Sequence, residues 1–381
     1  MKIAVIINPL PKTNLSPAIS VGKLLSILPQ ESEVFFYGIG YKPSLLPKTC
    51  SNLYPVCIEP IKNISDFINK QKNICNQLLA IQPDVVLFWI ADKMFKVMHF
   101  CKKQKIPTIM WVYGNTFRFI NNKIKKTISK LIFIKMLKEA SYLAEEHPGV
   151  MNLLSEIDIK NRFTKKCTFR FLSIYCDYPV LASYEKMNRQ NNRFLVVSRL
   201  AKEKNIDLII QAFINLFNNN NNVTLEIVGS GPVEVELKNR FSCFDNVIFS
   251  GWREKDYIAN ALACSDCFVS ASSSEGFPSS IQEAIKTKNL IVSYPVGGLT
   301  SFLTHQNSII INSISIESIQ EAILKAHNVS SKEKITMLEK ALQDLDADFS
   351  FSSCKNKMRE TLEYVIKRND ENGKECKRRS D

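Results

Sequence analysis

The sequence predicts an α/β protein built from two doubly wound domains in series. Three observations predict it. The chain has 381 residues, more than one ordinary hydrophobic core organises. Short, nearly continuous apolar runs alternate with helical stretches, the pattern of parallel strands covered on both faces. A polar stretch, Ser183-Tyr-Glu-Lys-Met-Asn-Arg-Gln-Asn-Asn192, interrupts the alternation, which then starts again.

In the first half the expected strands are Lys2–Ile7, Glu33–Tyr37, Val85–Ile90 and Thr108–Tyr113, with helical patterns such as Ala18–Leu28 and Phe67–Ile81 between them. In the second half they are Arg193–Ser198, Thr224–Val228, Val247–Ser250, Cys267–Ser270 and Leu290–Ser293. Helices are expected there at Ile206–Phe217, Val233–Phe241, Asp256–Cys264 and Ser279–Thr287. The division that follows is 1–182, a linker at 183–192, 193–350, and a C-terminal helix with a charged tail at 351–381. Residues Lys367–Asp381 are apolar-poor and expected to fray. No fixed-period repeat is visible.

Apolar residues make up 45% and charged residues 23%, as in a globular chain rather than a disordered one. The longest apolar runs are strand-sized, so no membrane span is expected. Met1–Ile7 is followed by Asn8-Pro9-Leu10-Pro11 and reads as a first strand, not a leader. The protein is therefore expected in the cytoplasm. Eleven scattered cysteines suit reduced thiols better than a disulfide framework. Cys264-Ser-Asp-Cys267 has no second pair and no nearby histidine, so it reads as packing at a helix-to-strand junction and no metal is expected.

The charge is uneven. Residues 1–190 hold 27 Lys+Arg against 13 Asp+Glu, and residues 191–381 hold 23 against 24. An excess confined to one half points to a first domain facing an anionic surface or ligand.

The residues that carry chemistry lie at strand-to-helix turns of the second domain, the carboxyl ends where open parallel sheets bind ligands. Ser198-Arg199-Leu-Ala-Lys-Glu-Lys204-Asn205 either aims two cations at a diphosphate or forms a solvated basic loop. Gly229-Ser-Gly231-Pro232 follows a strand and precedes a helix, where glycines admit a ligand close to the backbone or simply serve the turn's geometry. Ala271-Ser-Ser-Ser-Glu275-Gly276-Phe277-Pro278-Ser279-Ser280 leads into a helix expected from about Ile281. Pro278 suits the helix entry, with Ser279 or Ser280 as cap. Glu275 is then in the loop and Glu283 within about the first helical turn. The two carboxylates suit hydroxyls of two different sugars, on either side of N–H groups that suit phosphate. Alternatively, Glu283 is only a favourable acid near a helix start.

The order of these motifs is more specific than any one of them. Arg199…Lys204, Gly229-x-Gly231-Pro232, Phe249-Ser-Gly251-Trp252, Glu275-x7-Glu283-Ala284 and Val296-Gly297-Gly298 follow one another. Together they resemble the retaining GT-B glycosyltransferases of the Glu-x7-Glu group, glycosyltransferase family 4, closely over about residues 194–302 and loosely elsewhere. The resemblance implies two Rossmann-like domains with an interdomain cleft, the nucleotide-sugar donor in the second domain and the acceptor mainly in the first. By position it implies that Arg199 and Lys204 bind the diphosphate and stabilise the leaving nucleoside diphosphate. Glu275 would contact the transferred sugar beside Gly276 and Phe277. Glu283 would hold the ribose, and Gly229, Trp252 and Arg253 would border the base. It further implies no divalent metal and no cofactor beyond the donor. On the acceptor side the corresponding positions are Asn8, Tyr113 and Gly114. Here the chain differs from the family's pattern, with no glycine in Asn8–Asn14 and with Tyr113 where a histidine is common.

In the first half, Lys123, Lys125, Lys126, Lys130, Lys135 and Lys138 accompany Ile124, Ile128, Leu131 and Ile132. A basic amphipathic helix of this kind lies on an anionic membrane or packs on a core with a solvated basic face. With the resemblance to enzymes that use lipid-linked acceptors, the expected function is transfer of a sugar to a glycan or lipid-linked acceptor in bacterial surface polysaccharide synthesis, peripheral to the inner face of the membrane. The alternatives are a non-catalytic subunit that only binds donor, and an epimerase or phosphorylase of the same fold. Nucleic-acid binding is disfavoured, since aromatics are not interleaved with the basic runs.

Overall fold

The computed structural model describes residues 1–7, 16–39, 52–89, 93–112, 123–145, 168–170, 191–218 and 220–378. The chain divides into two compact units, Met1–Tyr175 with Phe351–Asp381, and Cys176–Ser350. Residues 183–190 of the expected linker 183–192 and the acceptor-side positions Asn8, Tyr113 and Gly114 lie outside the described residues.

Among the described residues the first unit forms a seven-stranded sheet of parallel pairs. Its strands are β1 (Lys2–Ile7), β2 (Glu33–Ile39), β3 (Leu53–Ile58), β4 (Val85–Trp89), β5 (Thr108–Val112), β6 (Tyr142–Glu145) and β7 (Thr168–Arg170), in the order β3-β2-β1-β4-β5-β6-β7. Helices α1 (Ser16–Ile27), α2 (Ile64–Ile81), α3 (Phe95–Lys103) and α4 (Lys123–Glu139) connect them. Successive strand side chains point to opposite faces. Ile3, Val5 and Ile7 accordingly join one core while Ala4 and Ile6 join the other. β4 and β5 are buried at every position, which explains why their sequence is apolar without alternation. Asn63 caps α2, its side chain accepting from the Asp66 N–H at 2.9 Å.

The second unit is a six-stranded sheet of parallel pairs. It contains β8 (Arg193–Val197), α5 (Ile206–Phe217), β9 (Thr224–Val228), α6 (Glu234–Phe241), β10 (Val247–Gly251), α7 (Lys255–Cys264) and β11 (Cys267–Ser270). There follow α8 (Ser279–Lys286), β12 (Leu290–Ser293), α9 (Leu299–Phe302), β13 (Ile309–Ile310), α10 (Ile316–Asn328) and α11 (Ser331–Phe349). The strand order is β10-β9-β8-β11-β12-β13. The direction of winding therefore reverses between β8 and β11, the place where such sheets bind ligands. In α5, Ile206, Ile209, Ile210, Phe213 and Phe217 recur at helical spacing and are buried. Phe213 meets Phe194 of β8 edge-on, ring centroids 5.9 Å apart. Burying one such side chain contributes roughly 1.5–3 kcal/mol.

The last helix, α12 (Phe351–Arg378), belongs to the first unit. Cys354, Met358, Leu362 and Val365 share one stripe of it and are buried in the same core as Ile3 and Val5. The tail expected to fray from Lys367 is instead helical through Arg378. Lys, Arg and Glu are good helix formers, and adding residues to a helix already nucleated by packing is easy.

Candidate functional site

The turn after β8 is built to project a lysine. A single turn of 3-10 helix, Lys202–Lys204, ends at Asn205, which adopts φ +51°, a conformation Asn tolerates better than most residues. The Asn205 amide donates to the Ala271 carbonyl at 2.7 Å. The Ser273 N–H donates to the Glu203 carbonyl at 2.8 Å. The turns after β8 and β11 are thus stitched together by side chain and backbone.

Across that seam the Lys204 ammonium donates to Glu275 Oε1. The two side chains retain 18% and 15% of their exposure, little enough that water screens the pair weakly. Both line a cavity of about 240 Å³ at the carboxyl ends of β8 and β11, with Ser198, Ser272, Ser279 and Ser280. Arg199 is placed differently. Its guanidinium is half exposed and donates to Glu203 Oε1 at 2.5 Å, and it does not line that cavity.

The helix at the site starts at the first residue of the expected Ser279–Thr287 stretch, two residues before the start near Ile281 that a serine cap implies. α8 begins at Ser279, and Pro278 itself is the N-cap, with no side-chain hydrogen bond to the helix. Neither Ser279 nor Ser280 is the cap. The fixed φ of Pro278 sets the entry, and the first N–H groups head the helix without a side-chain cap. Glu283 is consequently the fifth helical residue, in the second turn rather than the first, and does not line the cavity. Ile281, Ala284 and Ile285 are buried and fix the helix on the sheet.

Phe277 is buried, its ring 4.4 Å from Phe349 and 5.0 Å from Phe302. Its side chain anchors the loop between Glu275 and Pro278, which line the cavity, whereas Gly276 and Phe277 do not line it. The glycines hold the loops against one another. A Cβ on Gly229, at φ +139°, would lie 1.9 Å from the Ser198 carbonyl oxygen, and one on Gly231 2.2 Å from that of Leu200. Gly297, at φ +59°, meets the Glu275 carbonyl oxygen in the same way, at 1.9 Å. At Gly229 and Gly231 the turn's own packing requires glycine, since neighbouring backbone fills the place of a side chain. Gly276 accepts from the Gly298 N–H at 2.9 Å, which ties the Glu275 loop to the Val296-Gly297-Gly298 turn.

Trp252 and Arg253 follow β10 and are exposed. The Gly229 N–H donates to the Gly251 carbonyl at 2.8 Å, so the turns after β8, β9 and β10 form one continuous rim. Sequence reasoning does not single out Asn205, Glu203 or Ser272. An Asn just before an apolar helical run is the available signal for the first. Among the described residues no group of three or more His, Cys, Asp or Glu side chains is placed to hold a metal ion. Nor is any helix there long and apolar enough to cross a membrane. Burial pushes the Cys75 thiol up to about 11, and that of Cys101 higher still.

Residues 183–341 match the family described as Glycosyl transferases group 1. One of the subunits of phosphatidylinositol N-acetylglucosaminyltransferase from Homo sapiens is 32% identical over 135 residues, 35% of this chain and 28% of that protein. The chain thus spans under a third of that relative's length. Among solved structures, Anabaena HepE in complex with UDP aligns with a TM-score of 0.70 at 14% identity, covering 95% of this chain and 99% of that one. A glycosyltransferase from Rickettsia africae aligns with a TM-score of 0.70 at 18% identity, covering 96% and 98%. Residues 183–341 are thus similar to the Glycosyl transferases group 1 domain, and the chain shares the two-unit α/β fold of these solved structures.

Proposed function

We propose that the chain is a nucleotide-sugar-dependent glycosyltransferase whose donor diphosphate occupies the cavity at the ends of β8 and β11. The observation that carries this reading is the Lys204–Glu275 pair, held opposite the start of α8 at the point where the sheet's winding reverses. A diphosphate entering there takes the place of Glu275 on Lys204 and meets the N–H groups at Ser279 and Ser280. The released carboxylate then accepts hydrogen bonds from hydroxyls of the transferred sugar. Arg199, once it exchanges Glu203 for a phosphate, adds a second cation, and Glu283 takes the ribose hydroxyls.

Transfer breaks the bond between the anomeric carbon and the phosphate oxygen, and the electron pair leaves with the phosphate. Lys204, Arg199 and the helix start stabilise that charge in a site with little water, and on this account no divalent metal is needed. The acceptor hydroxyl attacks on the face the donor leaves, its proton passing to the departing phosphate, so the configuration is retained.

We assign a glycan or lipid-linked acceptor, in bacterial surface polysaccharide synthesis at the cytoplasmic face of the membrane. The lipid in the human relative's name supports a lipid-linked acceptor. So does α4, where Ile128, Lys130 and Leu131 are exposed while Phe133, Met136 and Leu137 enter the core. Binding to anionic vesicles that weakens with added salt tests the membrane part, and no binding at low salt contradicts it. A thermal-shift screen of UDP, GDP, ADP and their sugars tests the donor part. One nucleotide should raise the melting temperature, and no response to any of them contradicts the reading.

A further inference from the structure

The turn after β10 is held by a cluster that no step of the transfer uses. Phe249 pairs with Ile227, but the next pair is Gly251 with Val228, which leaves Ser250 as the extra residue of a bulge. Its hydroxyl donates to Glu226 Oε1 at 2.5 Å. The Tyr257 hydroxyl, from the first turn of α7, donates to the same oxygen at 2.7 Å. One carboxylate oxygen therefore pins both the bulge and the helix that follows it.

Bulges re-aim the chain and recur beside functional sites. Here Gly251 turns at φ +69° and its carbonyl receives the Gly229 N–H. Trp252 then stands 69% exposed, and Arg253 lies over the Tyr257 ring at 4.7 Å. The strand β10 is two places from β8 in the sheet, roughly 10 Å away. That is a span a ribose and base can cover from a diphosphate held at Lys204.

Resting on the donor reading above, we propose that Glu226, Ser250 and Tyr257 are positioning residues that hold Trp252 and Arg253 as the nucleobase-facing edge of the site. An exposed flat aromatic face at that edge offers stacking to a base. The bulge supplies its direction, and the Glu226 carboxylate keeps the bulge in place.

The three tryptophans make this measurable. Trp89 and Trp111 are 1% and 2% exposed, and Trp252 is 69% exposed, so acrylamide quenching reads Trp252. UDP, GDP and ADP are titrated into the full chain and into the Tyr257→Phe, Ser250→Ala and Lys204→Ala variants. The nucleotide that binds best should shield wild-type Trp252, halving the quenching constant or better. In Tyr257→Phe and Ser250→Ala its dissociation constant should rise three- to tenfold, the preference among the bases should narrow, and shielding should be lost. The value of kcat at saturating donor should hold while KM rises. Dissociation constants within twofold of wild type, with shielding intact in both variants, overturn the positioning role. If Lys204→Ala weakens binding in that same experiment, the donor reading survives. If none of the three nucleotides binds the wild type, both fall.

Discussion

Lys204 and Glu275, 71 residues apart in sequence, are bonded to one another across the reversal point of the second sheet. The pair closes the seam between two turns and keeps a cation ready in a partly buried place. Removing one partner leaves the other charge without compensation. Lys204→Met and Glu275→Gln should each cost about 1–3 kcal/mol, and the double variant less than their sum. Urea unfolding of the three variants checks this; additive losses contradict the coupling.

The glycines should differ in what they tolerate. Alanine at Gly229, Gly231 or Gly297 drives a methyl into a carbonyl oxygen at 1.9–2.2 Å, and neighbouring backbone has to shift. A cost of about 3 kcal/mol or more is expected at each. Gly251 has open space around its Cβ position and only an unfavourable φ of +69°, so Gly251→Ala should cost about 1–2 kcal/mol. Urea midpoints rank the four, and equal losses at Gly251 and Gly229 refute the ranking.

Phe277 should matter through packing. Truncation to alanine opens a cavity beside Phe302 and Phe349 and costs about 3–5 kcal/mol. Phe277→Leu, which refills part of it, should lose less. If the loop is set by its ends alone, both variants will unfold at the wild-type midpoint.

Alkaline pH should weaken the first unit. Tyr37 is raised from 10.0 to about 12 and Cys75 from 9.0 to about 11, both by burial. Their neutral forms are kept in the folded state, so the unfolded chain gives up these protons first. The contribution is complete below pH 9. It is lost as pH rises through 11 for Cys75 and through 12 for Tyr37. Unfolding followed at about pH 8, 10 and 11 should show a falling midpoint, with less of a fall in Cys75→Ala.

Much of this is legible in the sequence. Thr224–Val228, Cys267–Ser270 and Leu290–Ser293 are strands at the expected residues, because their buried positions are almost all apolar and bounded by polar turns. β3 is not legible, since Pro55 lies in its middle and a proline argues against a strand. It is tolerated because, among the described residues, β3 is the sheet's edge and pairs with β2 alone. β13 is two residues long, too short for any periodicity. At the site, residue type and spacing locate Lys204 and Glu275, but not their bond, which depends on how two turns meet. Glu226, Ser250 and Tyr257 are ordinary residues until a bulge brings them together.

The claim on which the rest depends is that Lys204 and the start of α8 hold a nucleoside diphosphate. Calorimetric titration of UDP, GDP and ADP into the wild type and Lys204→Ala tests it without knowledge of the acceptor. The account predicts that one of the three binds the wild type and that Lys204→Ala weakens it tenfold or more, while the protein remains folded by circular dichroism. Equal affinity in the two proteins would contradict it.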